Sequence, residues 1–129
     1  MNIMKDRNKL IKQKWESKKK RLKYHLKRKN INNVPRLVVF RSNNNIFIQL
    51  VDDSRSKTIL SVSSIDKELK GLIDKAKSKI EKSTIVGKVI AEKMIEAHIE
   101  KIIFDRNGHK YHGRIKAVGD AIRTAEIKI

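Results

Sequence analysis

The residues with the most chemistry to offer form one run near the C-terminus: Asp105-Arg106-Asn107-Gly108-His109-Lys110-Tyr111-His112-Gly113-Arg114. Arg106, Lys110 and Arg114 can reach phosphates, while His109, Tyr111 and His112 can stack on bases or ribose. Gly108 and Gly113 let the backbone approach a partner closely or turn sharply. The run therefore reads as a nucleic-acid contact loop. A second cluster, Arg41-Ser42-Asn43-Asn44-Asn45, joins a guanidinium to a hydroxyl and three amides. Such groups hydrogen-bond phosphate, ribose and base edges, but they also serve a turn's own backbone, and composition leaves both readings open. Other chemistries have less support. His109 and His112 lack a Cys or a third ligand at a suitable spacing for zinc. Asp52, Asp53, Asp105 and Asp120 are the carboxylates a divalent-metal nuclease would need, but turn carboxylates commonly bond their own backbone. No phosphate-binding G-x-x-x-x-G-K-[ST], G-x-S-x-G elbow or G-x-G-x-x-G fingerprint occurs. No catalytic residue, metal or cofactor is expected.

Charge points the same way. The 129 residues carry 32 Lys+Arg against 14 Asp+Glu, a formal net charge of +18. Like charges repel the compact state, so the surplus implies a polyanionic partner. It is concentrated at the N-terminus: residues 1–36 hold 14 Lys+Arg and 2 Asp+Glu. The block contains Lys5, Arg7, Lys9, Lys12, Lys14, Lys18, Lys19, Lys20, Arg21, Lys23, Lys27, Arg28 and Lys29, with Tyr24 among them. An uncompensated basic block reads as an interaction arm. Ile11, Trp15, Leu22 and Leu26 give it a thin apolar stripe at helical spacing. The arm is thus expected to be partly helical, frayed alone and ordered against its partner. Pro35 ends it, dividing a basic arm, 1–34, from a globular unit, 35–129. No run approaches the ~20 apolar residues of a membrane span, and the first 30 residues contain no apolar signal core. The absence of Cys rules out disulfides and thiolate metal sites.

These groups must be held by a body. Residues 37–41 form an apolar run with β-branched and aromatic members, a strand. Residues 46–51 resume as a second, with Ile46, Ile48 and Leu50 on one face and Phe47, Gln49 and Val51 on the other. The short Asn-rich turn predicts an antiparallel hairpin, and residues 58–63 add a third strand. Residues 65–82 read equally as helix or loop, because Gly71 and many Lys interrupt the apolar spacing. Ser83 is the expected N-cap of a helix carrying Val86, Val89, Ile90, Met94 and Ala97 on one face. Residues 101–105 follow as a strand with a parallel partner. Ile115, Val118, Ile122 and Ala125 define a further helix, and residues 126–129 suit a last short strand. The predicted fold is α/β (α+β): a mixed β-sheet, an antiparallel three-strand meander plus a parallel strand, flanked by two helices, with a basic N-terminal arm. The loop 105–114 then joins a strand end to a helix N-terminus, the edge where ligands and anions bind.

Three segments occur in order: Pro35-Arg36-Leu37-Val38-Val39-Phe40-Arg41-Ser42-Asn43, Ser61-Val62-Ser63-Ser64-Ile65-Asp66-Lys67-Glu68, and Phe104 through Arg114. With Val86-Gly87 and Ala91-Glu92 between them, they resemble the bacterial-type large ribosomal subunit protein of the L-eighteen family, over essentially residues 5–129. The resemblance implies a non-enzymatic structural protein that binds 5S rRNA and helps attach it to 23S rRNA in the central protuberance. The implied partners are those two RNAs and neighbouring ribosomal proteins such as the L-five family. The implied location is the large subunit, cytoplasmic or in an organellar ribosome. It further implies RNA contact by the basic arm, by Arg36, Arg41, Ser42, Asn43 and Asn44, and by Arg106, Asn107, Gly108, His109, Lys110, Tyr111, His112, Gly113 and Arg114. The family often has Gly at the positions of His98, Asn107 and Glu126, and Tyr at that of His109. His98 is expected to take a left-handed helix cap.

Overall fold

The alternation of apolar and polar residues through 37–51 produces a hairpin in the computed structural model. The structure describes the backbone of residues 3–29 and 34–129, and the side chains of 8–21 and 34–129. Strands β1 (Arg36–Arg41) and β2 (Ile46–Asp52) pair antiparallel, with Leu37 opposite Leu50 and Val39 opposite Ile48. Strand β3 (Lys57–Ser63) continues the meander, with a register shift at Leu50/Val51. Strand β4 (Ile103–Asp105) lies parallel to β1, giving the order β3-β2-β1-β4. Period-two alternation sends Leu37, Val39, Ile48, Leu50 and Val62 to one face, where all are fully buried.

Two helices cover that face, α3 (Lys79–Glu96) and α4 (Arg114–Thr124). Their contributions to the core include Val86, Ile90, Met94, Ile115, Val118 and Ile122, each 2% exposed or less. Burial of such a side chain contributes about 1.5–3 kcal/mol. Both helices return antiparallel to parallel strands, so they run side by side in one direction. Ile80, Thr84 and Lys88 of α3 line a groove between them with Lys116 and Asp120 of α4 and its N-cap Gly113. Gly87 sits at the contact, where a Cβ would lie 3.0 Å from Ala121 Cβ and 3.1 Å from the Val118 backbone.

Several boundaries differ from expectation. Helix α3 begins before Ser83: its N-cap is Ser78, whose Oγ accepts from Glu81 N at 3.2 Å. Glu81 Oε2 in turn accepts from Lys77 N at 2.6 Å, so the two side chains satisfy the opening turn. Ser83 is buried inside the helix and donates to Lys79 O. The ambiguous stretch 65–82 becomes a 3-10 turn (Lys67–Leu69), a short α2 (Lys70–Asp74), a link, and the first turn of α3. The expected last strand reduces to a single parallel bridge, Lys128 with Lys101, closed by Ile102 N donating to Lys128 O at 2.9 Å.

Helix α1 (Ile3–Lys29) runs unbroken and rests against β4, where only partial helix was expected. Lys, Leu, Arg, Gln and Glu are good helix formers, and no Gly or Pro interrupts the segment. Of its stripe, Ile11 is exposed and Trp15 half-buried, while Leu22 and Leu26 lie outside the described side chains. Among the described residues no helix is long and apolar enough to cross a membrane.

Candidate nucleic-acid interface

The parallel run of α3 and α4 places both N-termini at the sheet edge where β1 and β4 end. Helix N-termini carry partial positive charge, so that edge is electropositive before any side chain is counted. Arg41, the last residue of β1, projects there with the hairpin tip. The tip closes tightly: Ser42 N donates to Asn45 O at 2.9 Å, and Asn45 N donates to Ser42 Oγ at 3.2 Å. Asn43 and Asn44 remain exposed. Arg114, at the start of α4, reaches back and donates from Nη1 to Ser42 O at 2.6 Å. Burial and the neighbouring Arg41 both lower the Arg114 pKa.

The loop between β4 and α4 is held in from both ends. Asn107 N donates to Asp105 Oδ1 at 2.8 Å, turning the chain with Asn107 at φ 53°. Gly108, at φ 79°, follows under the arm, where a Cβ would meet Lys19 Cγ at 3.2 Å and the Trp15 ring at 3.6 Å. That close approach requires glycine. Next, the His109 ring packs 4.7 Å from the Trp15 ring at 53°, and its Nδ1 accepts from Arg41 Nε at 3.1 Å. Burial, then Arg41, Lys19, Arg114 and Lys18, push the His109 pKa down to about 4. The imidazole is therefore neutral near pH 7. Lys19 Nζ stands 5.5 Å from the Trp15 ring centroid, a cation–π contact.

Between arm, tip, loop and helix starts lies an open cleft of about 570 Å³, lined by Trp15, Lys18, Arg41, Lys79, Lys110 and Arg114 among others. Among the described residues, no carboxylate forms an ion pair with any of its five cations. The cleft can hold an anionic backbone whose oxygens replace the missing counter-charges.

Three of the expected contact residues are engaged within the protein itself. Arg36 was expected on the interface but is 5% exposed. Its guanidinium bonds Asp105 Oδ2 at 2.5 Å and Asp53 at 3.0 and 3.1 Å. Tyr111 is half-buried and held by side chains of the protein. Its ring meets Phe104 edge-on at 5.7 Å, its hydroxyl accepts from Arg123 Nη1 at 3.0 Å, and it lies over Gly119. Gly108 is buried beneath Trp15. The remaining loop positions divide: Lys110 and His112 are exposed, while Arg106 and Gly113 are half-buried. On α1, Lys9, Lys12, Lys14, Lys18, Lys20 and Arg21 are exposed. The side chains of Lys5, Arg7, Lys23, Tyr24, Lys27, Arg28 and Lys29 lie outside the described residues.

The four aspartates of the nuclease alternative do not assemble. Asp53 and Asp105 share Arg36, Asp52 accepts from Ser54, and Asp120 is exposed on α4. Among the described residues no group of three His, Asp or Glu could hold a metal ion. Sequence reasoning missed Lys79, which joins the cleft because two parallel helices begin at one edge. It also missed Trp15 as the bolt between arm and loop. Its isolation as the single Trp in a basic block was the available signal.

Comparison of the sequence with known proteins gives the family. Residues 9–129 match the family described as ribosomal L18 of archaea, bacteria, mitochondria and chloroplast. A large ribosomal subunit protein uL18 of Prochlorococcus marinus (strain MIT 9312) is 52% identical over 94 residues, 73% of this chain and 77% of that protein. The uL18 of Synechococcus sp. (strain CC9902) is 42% identical over 117 residues, 91% of this chain and 94% of that protein. The match thus takes in most of the arm together with the tip, the clamped loop and both helices, and the chain belongs to the L18 family, structural constituents of the large ribosomal subunit rather than enzymes.

Proposed function

We propose that this chain binds 5S rRNA and helps fasten it to 23S rRNA in the central protuberance, beside proteins such as the L-five family. The observation that carries the reading is the uncompensated cation cleft, in which Lys18 of the arm meets Arg41, Lys79, Lys110 and Arg114 of the body. A basic arm alone would bind any polyanion. A cleft of fixed shape, together with Asn43 and Asn44 exposed on the hairpin tip that follows Arg41, can favour one RNA surface over another. The arm, 1–34, supplies phosphate neutralisation and the body, 35–129, supplies shape.

The test is a salt titration of binding to 5S RNA beside a length-matched unrelated RNA. A preference for 5S RNA of roughly 10³-fold or more at physiological salt supports the reading. Equal binding, with both RNAs released together as salt rises, would leave only a general RNA chaperone.

A further inference from the structure

The sheet has a second face, turned away from α3 and α4, and its residues near the hairpin tip have no role in the cleft. Phe40 and Phe47 are a cross-strand pair there, with ring centroids 5.9 Å apart and planes tilted by 36°. Phe40 is 38% exposed although it lies within a strand, and Phe47 is half-buried. Ile65, 71% exposed, stands across a shallow groove of about 510 Å³ that these residues share with Arg41, Ser42 and Asn45. One step along the strands on the same face, Gln49 is opposite Ser61. Ser61 is exposed, and among the described residues neither the Gln49 amide nor the Ser61 hydroxyl makes a side-chain hydrogen bond.

We propose that Phe40 and Phe47 form a stacking platform for unpaired RNA bases, with Gln49 and Ser61 placed to bond a base edge. The inference rests on the RNA-binding reading and extends it to a surface on the opposite side of the sheet from α3 and α4. Sheet-borne aromatics take bases because every base has an apolar face that stacks on a ring. A purely apolar protein partner would bury the Gln49 amide and the Ser61 hydroxyl without partners, at a cost in free energy. A base edge satisfies both. The net charge of +18, most of it on the arm, draws a polyanion toward the molecule as a whole.

The test compares the full chain with Phe40→Leu/Phe47→Leu, which keeps apolar bulk and removes the rings; thermal melts check that the variant is folded. Two probes are used: 5S RNA, and a single-stranded oligonucleotide carrying 2-aminopurine, whose fluorescence falls when it stacks. The expected result is a loss of about 5-fold or more in affinity for each stack removed, with the slope of affinity against salt unchanged, because no phosphate contact is lost. Wild-type protein quenches 2-aminopurine and the variant does not. Wild-type affinity and equal quenching in the folded variant would overturn the proposal, and so would unchanged RNA binding with impaired assembly into the subunit, which would assign the face to a protein. If wild-type protein quenches the oligonucleotide but shows no preference for 5S RNA, the platform stands and the choice of RNA falls.

Discussion

Arg36 Nη1 donates to Asp105 Oδ2 at 2.5 Å, joining the first residue of β1 to the last residue of β4, 69 positions away. The other side of the guanidinium is held by Asp53. Burial works against the charge on Arg36, but the bonds and charges of Asp53 and Asp105 outweigh it and raise its pKa. Asp105 spends its second oxygen on Asn107 N, at the entrance to the interface loop. A buried arginine therefore fixes where the loop begins.

Removing Arg36 should cost far more stability than a surface arginine would. Arg36→Ala leaves Asp105 buried without its cation and takes one partner from the half-buried Asp53, and the expected loss is about 3–5 kcal/mol. Urea denaturation measures it, and a loss below about 1 kcal/mol would show the pair to be dispensable.

The cleft arginines should behave in the opposite way. Arg41→Ala and Arg114→Ala are expected to leave the melting temperature nearly unchanged. Each should lower RNA affinity at low salt and reduce the slope of log affinity against log salt by about 1. A lost affinity with an unchanged slope would mean these groups meet no phosphate.

His109 should make the free protein sensitive to acid. The unfolded chain takes up its proton near the ordinary value of 6.5, whereas the folded chain resists until about 4. Between those values the unfolded state binds more protons, so stability rises with pH across the window and falls as pH drops from 6.5 to 4. Melts of wild type and His109→Gln between pH 4 and 7 should diverge in that window. An imidazole titration by NMR with a midpoint near 6.5 would contradict the buried, cation-crowded setting.

His98 and Glu126 adopt φ of 59° and 66°, a left-handed geometry that L side chains resist. Each ends a helix on the side remote from the cleft. His98→Gly and Glu126→Gly should each stabilise the fold, by about 0.5–1 kcal/mol after the added freedom of the unfolded chain is subtracted. Thermal melts decide the sign, and an unchanged or lowered midpoint would show the side chains contribute contacts of their own.

Much of the fold could be read from periodicity. The alternation at 46–51 is the alternation of burial in β2, and the spacing of Val86, Ile90 and Met94 is the buried stripe of α3. The start of α3 was missed because Ser78-Lys79-Ile80-Glu81 carries its capping chemistry in a Lys-rich stretch of weak apolar pattern. The candidate site was legible by residue type and not by partner. Arg36 and Arg41 look alike in the sequence, five residues apart on one strand. Only the parallel pairing of β1 with β4, which no local pattern encodes, puts Arg36 beside Asp105 and turns it from a surface cation into a core one. The partners of Tyr111 were hidden for the same reason: its place over Gly119 depends on how α4 returns across the sheet.

Gly87 sets a dimension of the molecule far from where that dimension is used. Because nothing but hydrogen stands between it and Val118 and Ala121, the separation of the two helix axes is gauged at that point. Helices are stiff rods, so any added methyl group there acts as a wedge under one arm of a pair of callipers, and its jaws are the starts of α3 and α4. Lys79 and Arg114 sit on those jaws. The spacing of the charges that greet a phosphate chain is thus calibrated by an uncharged residue two helical turns inside the core.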